Sequence, residues 1–201
     1  MKLTRRYHVA LAILVTFVLL AAAVVYYMTA HGFSAHDEPT FIEVAVARQM
    51  RHMGVPRGAR DLANPAPDTP EVLEAGLAHF ADHCAACHAN NGSGDTELGR
   101  NMYPKAPDMR AAQTQDLSDG ELFYIIQNGI RLTGMPAWGS GGHDGEADSW
   151  KLVRFIRHLP QLTDEERTRM EKLNPRSPAE MSMPDEQDFL EGKTPDAPGK
   201  G

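Results

Sequence analysis

The sequence has few cysteines and few aromatic residues, and it has no excess of positive charge. Its 201 residues include only two cysteines, which excludes a scaffold held by several disulfide bonds. Aromatic residues make up 7% of the chain, against 14 prolines and 17 glycines, and this composition favours a small core with long loops. Lys and Arg number 20 against 27 Asp and Glu, for a formal net charge of −7. No basic excess is available to neutralise a phosphate backbone, so we expect no nucleic acid partner.

The longest apolar run lies at the N-terminus. Residues 9–28 are 20 consecutive residues interrupted only by Thr16, and a helix of this length spans about 30 Å, the thickness of the bilayer hydrocarbon. Lys2, Arg5 and Arg6 precede the run, so the positive-inside rule keeps the N-terminus in the cytoplasm and exports the rest. We expect a single-pass anchor in the cytoplasmic membrane, with the remaining chain in the periplasm. A cleaved signal peptide is the alternative, but its apolar region is usually roughly 7–15 residues long.

Composition divides the chain into four parts. These are a cytoplasmic stub and transmembrane anchor (1–30), a linker with a short helix packing on the next domain (31–69), a core domain (70–160), and a C-terminal helix with an acidic disordered tail (161–201). The linker helix is predicted over residues 40–53 from its apolar spacing. Thr163 and Glu166 form a capping box that opens the C-terminal helix. From Ser182 onward the tail is too polar and too rich in proline and glycine to support a core.

Local signals predict three helices around the core domain. The predicted limits are Thr69 to about His83, Ser118 to Gly129, and Ser149 to Pro160. Thr69 and Ser149 are residue types that cap helix N-termini. Ser118 forms a capping box with Glu121. No internal repeat, strand-like alternation or Gly-rich phosphate loop is found in the sequence, so the core domain is predicted to be helical.

Long loops and one motif indicate a buried cofactor. The loops 89–117 and 130–148 are longer than a compact domain usually contains, unless something organises them. Both cysteines lie in Cys84-Ala-Ala-Cys87-His88, which is the attachment sequence of haem c. Two thiols at this spacing reach the two vinyl groups on one edge of the macrocycle, and His88 can then point Nε2 at the iron. We expect one covalent haem c on Cys84 and Cys87. A zinc site would need a fourth ligand, and thioredoxin-type chemistry would need a βαβ context.

The opposite face of the iron needs a second axial ligand. A methionine thioether is favoured because it raises the reduction potential, and the chain has ten methionines. Met135 lies in the second long loop, where Pro136 stiffens the chain and Gly134 permits close approach to a flat ring. We expect Met135 to be the ligand, with Met102 and Met109 as alternatives.

Residues 70–160 resemble a class I, mono-haem cytochrome c. The resemblance rests on Gly76 and Phe80 ahead of C-x-x-C-H, on Gly-Met-Pro-Ala-Trp at 134–138, and on an aromatic-rich last helix with Trp150 and Phe155. It implies an all-α cytochrome c fold, with three to five helices wrapped round a covalent haem, joined here to one N-terminal transmembrane helix. In the family the first and last helices cross nearly at right angles around a small residue. Gly76 is therefore expected to face one of three apolar residues, Leu152, Phe155 or Ile156.

The resemblance also suggests further contacts of the haem. A family proline offers its carbonyl to Nδ1 of the proximal histidine, and both Pro104 and Pro107 fit, with Pro107 favoured. Arg131 either pairs with a haem propionate or is a solvated loop arginine. Trp138 either donates to a propionate or packs on the ring, and Tyr103 is a weaker candidate of the same kind.

The implied function is electron transport by a membrane-anchored c-type cytochrome. With both axial positions filled, no small-molecule substrate binds the iron, and the protein is not an enzyme by itself. Residues 70–160 contain 12 acidic and 7 basic residues, a net charge of −5. The domain lacks a lysine-rich docking face, so we expect its redox donor and acceptor to present basic patches.

Three other functions remain open from the sequence. The chain can be a haem c electron-entry subunit of a larger oxidoreductase complex. It can be a gas-sensing haem protein, in which Met135 is labile or not a ligand. It can also be a thiol oxidoreductase that uses Cys84 and Cys87.

Overall fold

The computed structural model of the chain describes residues 2–32, 34–139 and 142–175. Within these ranges every regular element is helical, and no strand occurs. The chain forms two units, Met1–Glu38 and Pro39–Gly201. The predicted all-α class with one N-terminal apolar helix is confirmed.

Helix α1, Lys2–His31, is the regular element of the first unit. An 18-residue window within Arg5–His31 has a mean hydropathy of 2.8, and the apolar side chains of the helix are exposed. Thr29 donates its hydroxyl hydrogen to the carbonyl oxygen of Val25 at 2.9 Å, so this polar group is satisfied within the helix. By length and composition α1 fits a bilayer-spanning helix.

The second unit begins with two helices, α2 (Phe41–Gly54) and α3 (Arg57–Arg60). Thr40 and Glu43 form a capping box at the start of α2: the Thr40 N–H donates to Glu43 Oε2 at 2.7 Å, and the Glu43 N–H donates to Thr40 Oγ1 at 3.3 Å. The short helix predicted in this segment is confirmed. The division between linker and core domain at residue 70 falls inside the second unit and stays a prediction.

The first helix of the core domain changes its winding before it ends. Helix α4 covers Pro70–His79, a π-helical turn follows over Phe80–Cys84, and the short helix α5 covers Ala85–His88. Thr69 caps α4 by accepting the Val72 N–H on its hydroxyl oxygen. The predicted start of the helix at Thr69 is confirmed. The prediction of one continuous α-helix to about His83 is wrong, because the winding changes to a π turn at Phe80.

Three helices follow in the middle of the domain. They are α6 (Glu97–Arg100), α7 (Ala112–Gln115) and α8 (Asp119–Asn128). The capping box predicted for α8 is confirmed: the Ser118 N–H donates to Glu121 Oε2 at 2.8 Å, and the Glu121 N–H donates to Ser118 Oγ at 3.1 Å. Gly129 ends α8 at a φ of 65°, a conformation that glycine adopts without strain.

Helix α9 covers His143–His158 and leads into a 3₁₀ turn over Leu159–Gln161. The predicted N-cap at Ser149 is wrong, because Ser149 lies buried within α9. Its hydroxyl accepts a hydrogen bond from Gln127 Nε2 at 2.7 Å. The chain before Ser149, predicted as loop, is therefore partly helical.

The core lies where α4 packs on α9, at a glycine. A Cβ atom on Gly76 would lie 2.5 Å from the Lys151 carbonyl oxygen and 2.9 Å from Phe155 Cβ. The expected contact of Gly76 with Phe155 is thus confirmed, and the carbonyl of Lys151 joins it. The core residues with almost no exposure include Leu77, Phe80, Leu152, Val153, Phe155 and Leu159.

Helix α10, Asp164–Leu173, returns to the start of the domain. Its predicted capping box is present, with the Thr163 N–H donating to Glu166 Oε2 at 2.8 Å. Met170 has no solvent-exposed surface and belongs to the core cluster. The helix is therefore part of the packed fold. The acidic tail predicted from Ser182 lies outside the described residues.

Candidate functional site

The two cysteines and His88 lie where the first helix of the domain ends. Cys84 is the last residue of the π turn, and Cys87 and His88 belong to α5. Both thiols are free and half-buried, and His88 is 7% exposed. Burial, with a smaller effect of Cys87, raises the pKa of Cys84 to about 12, and burial also raises the pKa of Cys87. Raised thiol pKa values lower the thiolate fraction, and the thiolate is the nucleophilic form.

The chain after His88 folds back over the end of α5. The Gly94 N–H donates to the His88 carbonyl oxygen at 2.9 Å, and the Thr96 hydroxyl donates to the Cys87 carbonyl oxygen at 3.2 Å. A Cβ atom on Gly99 would collide with that same Cys87 oxygen. The loop thereby satisfies carbonyls that the end of a helix leaves without partners, and it fixes the backbone that carries the cysteines.

The same loop brings Pro107 to His88. The Met109 N–H donates to the Gly92 carbonyl oxygen at 2.7 Å, which closes the loop next to this proline. Nδ1 of His88 is buried and has no hydrogen-bond partner of ordinary geometry among the residues that the structure describes. Burial lowers the pKa of His88, and the Pro107 carbonyl offsets part of that shift. The Pro107 carbonyl thus lies near the His88 ring, and the lowered pKa favours the neutral imidazole, which is the form that binds a metal.

Met135 lies in a loop tied to the end of α8. The Ile130 N–H donates to the Met135 carbonyl oxygen at 3.2 Å, and the Met135 N–H donates to Thr133 Oγ1 at 3.1 Å. Gly129 leaves space for this turn, because a Cβ atom there would lie 2.7 Å from the Met135 carbonyl oxygen. The backbone of Met135 is therefore fixed, and its side chain is half-buried.

The alternative methionines occupy different surroundings. Met109 packs against the hydrophobic core cluster. Met102 lies against the Met135 loop, where a Cβ atom on Gly134 would be 2.5 Å from Met102 Sδ. Met109 therefore lies against the core, whereas Met102 and Met135 lie next to each other in the same loop region. The choice of Met135 over Met102 stays a prediction.

The three tentative contact residues are placed as follows. The Trp138 ring meets the His83 ring edge-on with centroids 5.3 Å apart. Tyr103 hydrogen-bonds Glu43 of α2 and, after the Thr40 hydroxyl and the Thr40 N–H, contributes to lowering the pKa of Glu43. Arg131 is exposed. Their roles toward a cofactor stay predictions, as does that of Pro107.

These residues fit a covalently attached haem. The thiols at Cys84 and Cys87 are free, and His88 is buried with an imidazole held neutral. Met135 supplies a thioether from a loop whose backbone is fixed by hydrogen bonds. Cysteine pair, histidine and thioether together form the donor set of a c-type haem.

Two features of the site were not predicted from the sequence. One is the π turn that ends at Cys84, and the other is the pair of contacts that Gly94, through its N–H, and Gly99, through its close approach, make with the C-x-x-C-H segment. The glycines are visible in the sequence as neighbours of the motif, and their spacing after His88 was the available signal. The π turn has no local signature that we recognise.

The helical fold and this arrangement of cysteines and histidine define a cytochrome c domain, and such a domain carries haem c. Residues 71–156 match the family described as cytochrome C oxidase, cbb3-type, subunit III, so this part of the chain is similar to that subunit. The chain is also similar to the "Cbb3-type cytochrome c oxidase subunit FixPc" of Rhizobium leguminosarum bv. viciae, with 34% identity over 126 residues. The similarity covers 62% of this chain and 40% of that protein.

Proposed function

We propose that the chain is a membrane-anchored, mono-haem c-type cytochrome that carries single electrons between periplasmic or membrane redox partners. The observation that carries the proposal is the buried His88 directly after Cys84 and Cys87, with the Pro107 carbonyl near its ring. The cytochrome c match over residues 71–156 supports it. Haem c, when bound, supplies the reversible one-electron change of its iron.

Different residues of the chain are proposed to bind different parts of haem c. Cys84 and Cys87 would hold haem c through thioether bonds, and His88 and Met135 would ligate its iron. Burial favours the neutral form of His88, and hydrogen bonds fix the backbone from which the Met135 side chain extends. With both iron ligands supplied by the protein, no small-molecule substrate would bind the iron, so the proposed role is electron transfer.

The proposed location follows from the anchor. Helix α1 is long and apolar enough to cross a membrane, and Lys2, Arg5 and Arg6 lie before its apolar part. We place the basic end in the cytoplasm and the cytochrome domain in the periplasm by the positive-inside rule. The net charge of −5 over residues 70–160 favours donors and acceptors that present basic patches.

A second candidate function is favoured by the comparisons. The matched family is described as an oxidase subunit, and so is the similar protein from Rhizobium leguminosarum. The chain is accordingly also proposed as an electron-entry subunit of an oxidase complex. Purification from mild detergent at a fixed ratio with other subunits supports this role, whereas an isolated chain that exchanges electrons with soluble partners supports the free carrier.

The first test is an optical spectrum of the matured full chain in both oxidation states. We expect a covalent haem Soret band and, in the oxidised protein, the weak long-wavelength band of methionine–iron ligation. Met135→Ala should abolish the weak band and lower the midpoint potential, because a thioether ligand raises it. Met102→Ala is the matched control and should leave both unchanged.

Other outcomes separate the alternatives. If Met102→Ala loses the weak band and Met135→Ala keeps it, the iron ligand is Met102. A ferrous spectrum that shifts readily with carbon monoxide indicates an open coordination site and supports the gas sensor. Absence of any Soret band, with two titratable thiols, overturns the proposal and leaves thiol redox chemistry.

A further inference from the structure

Helix α2 carries an apolar strip that faces away from the rest of its unit. The strip consists of Ile42, Val46, Met50 and Met53, spaced four, four and three residues apart, which places them on one face of the helix. Their exposed fractions lie between 51% and 72%. We call these four residues the outer strip. It contains no charged side chain.

The opposite face of α2 attaches the helix to the unit through polar contacts. Arg48 Nη2 donates to Gln113 Oε1 at 3.2 Å, and Arg51 Nη2 donates to the Gln113 carbonyl oxygen at 3.5 Å. His52 Nδ1 lies 3.5 Å from Glu121 Oε1. A helix on a globular core ordinarily turns its apolar face inward. Helix α2 has the opposite orientation, with its polar face toward the protein and its apolar face outward, and no residue of α2 is buried.

The outward orientation of the outer strip indicates that the strip contacts something other than the core of its own unit. An exposed apolar face of this kind marks an interaction site on a protein or a membrane. The four side chains of the outer strip carry no charge and no hydrogen-bond donor group that would select a particular protein surface. Two of its four members are methionines, whose flexible side chains adapt to irregular apolar surroundings.

The connection of α2 to the membrane anchor identifies the partner. Helix α1 ends at His31, and α2 begins at Phe41, so nine residues separate them. Fully extended, this segment reaches at most about 30 Å. Such a short tether keeps α2 near the bilayer that α1 spans and gives it a high effective concentration there. The bilayer is therefore the apolar environment that the tether keeps close to the outer strip.

We propose that the outer strip of α2 binds the membrane, with α2 lying in the plane of the interface and its four apolar side chains inserted among the lipid acyl chains. Helices with one apolar face and one basic face bind bilayers in this way. In α2 the basic face is turned toward the protein, so the lipid contact is apolar and not electrostatic. The inference depends on the anchor and not on the haem ligands.

The test measures how deep a spin label lies in lipid. In the matured chain Cys84 and Cys87 are proposed to be bonded to haem, so an added cysteine is the one free thiol. Met53→Cys reports on the strip, and Glu171→Cys, at an exposed residue of α10, is the reference position. The full-length proteins are placed in phosphatidylcholine nanodiscs at one chain per disc, which excludes a second copy.

We expect the label at residue 53 to collide severalfold more often with oxygen, relative to a water-soluble nickel complex, than the label at residue 171. Adding Val46→Asp should remove this difference, because a carboxylate in the strip opposes insertion into acyl chains. Ala47→Asp places the same charge at the neighbouring exposed residue outside the strip and should preserve the difference.

Two results overturn the proposal. Equal, water-like accessibility at residues 53 and 171 shows that the strip does not enter lipid. A label at residue 53 that neither reagent reaches shows that protein covers it. The Soret band of the same samples reports separately on the covalent haem, so failure of this inference is distinguishable from failure of the proposed function.

Discussion

Replacing Gly76 with valine should destabilise the domain by about 3 kcal/mol, at the upper end of the cost of over-packing a core. A Cβ atom at this position lies 2.5 Å from the Lys151 carbonyl oxygen, whereas ordinary contact begins near 3.4 Å. Helices α4 and α9 must therefore move apart by about 0.9 Å. A gap of about 0.5–1 Å forfeits a quarter to a half of the dispersion attraction of each facing atom pair. Valine gains only a few tenths of a kcal/mol over glycine in helix propensity.

The assay is equilibrium unfolding of the haem-loaded protein in guanidinium chloride, followed by far-ultraviolet circular dichroism. Gly58→Val is the matched control: Gly58 lies in helix α3, and a Cβ atom there meets nothing within 4 Å. Its free energy of unfolding should stay within about 0.5 kcal/mol of the wild type. The packing argument fails if Gly76→Val is equally benign, or if both variants lose the same stability.

Two further predictions concern helix α10. Met170→Ala should lower the free energy of unfolding by about 2–5 kcal/mol, because it opens a cavity in the core, whereas Met53→Ala, at an exposed methionine, should not; similar unfolding midpoints in denaturant would show that α10 is dispensable. For Glu166, burial alone raises the pKa, but the Thr163 N–H, the His158 ring and the Thr163 hydroxyl outweigh it, and the pKa falls below its usual 4.5. A lowered pKa gives stability that is present above pH 4.5 and lost as pH falls below it. Glu166→Gln should therefore be less stable than wild type at pH 7, with the difference shrinking in acid; a difference that is constant with pH would contradict the stabilisation of the carboxylate by these hydrogen bonds.

Features encoded by neighbouring residues could be predicted from the sequence. The capping box of Ser118 and Glu121 joins residues three apart, and the chemistry of both side chains specifies it without reference to the rest of the fold. The C-x-x-C-H motif is local in the same sense. The contact of Gly76 with Phe155 joins distant residues, and it was expected only from the family resemblance.

Features that depend on distant partners could not be predicted. Ser149 has the chemistry of an N-cap, yet its hydroxyl pairs with Gln127 inside the core, so α9 starts earlier. Met170 sits in a helix of otherwise polar composition, and its burial depends on the surface of α4 that α10 meets. The approach of Pro107 to His88 depends on how the loop closes between Gly92 and Met109, and the sequence favoured this proline only through the family resemblance.

The packing of α4 on α9 also sets an order of events during synthesis. The 63 residues between His79 and His143 must leave the ribosome, and then cross the membrane if the domain is exported, before the two helices can meet. Until then the core cluster against which Cys84 packs lacks its α9 residues, among them Leu152 and Phe155. The cysteines of the C-x-x-C-H segment therefore leave the ribosome well before the surroundings that half-bury them in the folded domain are complete.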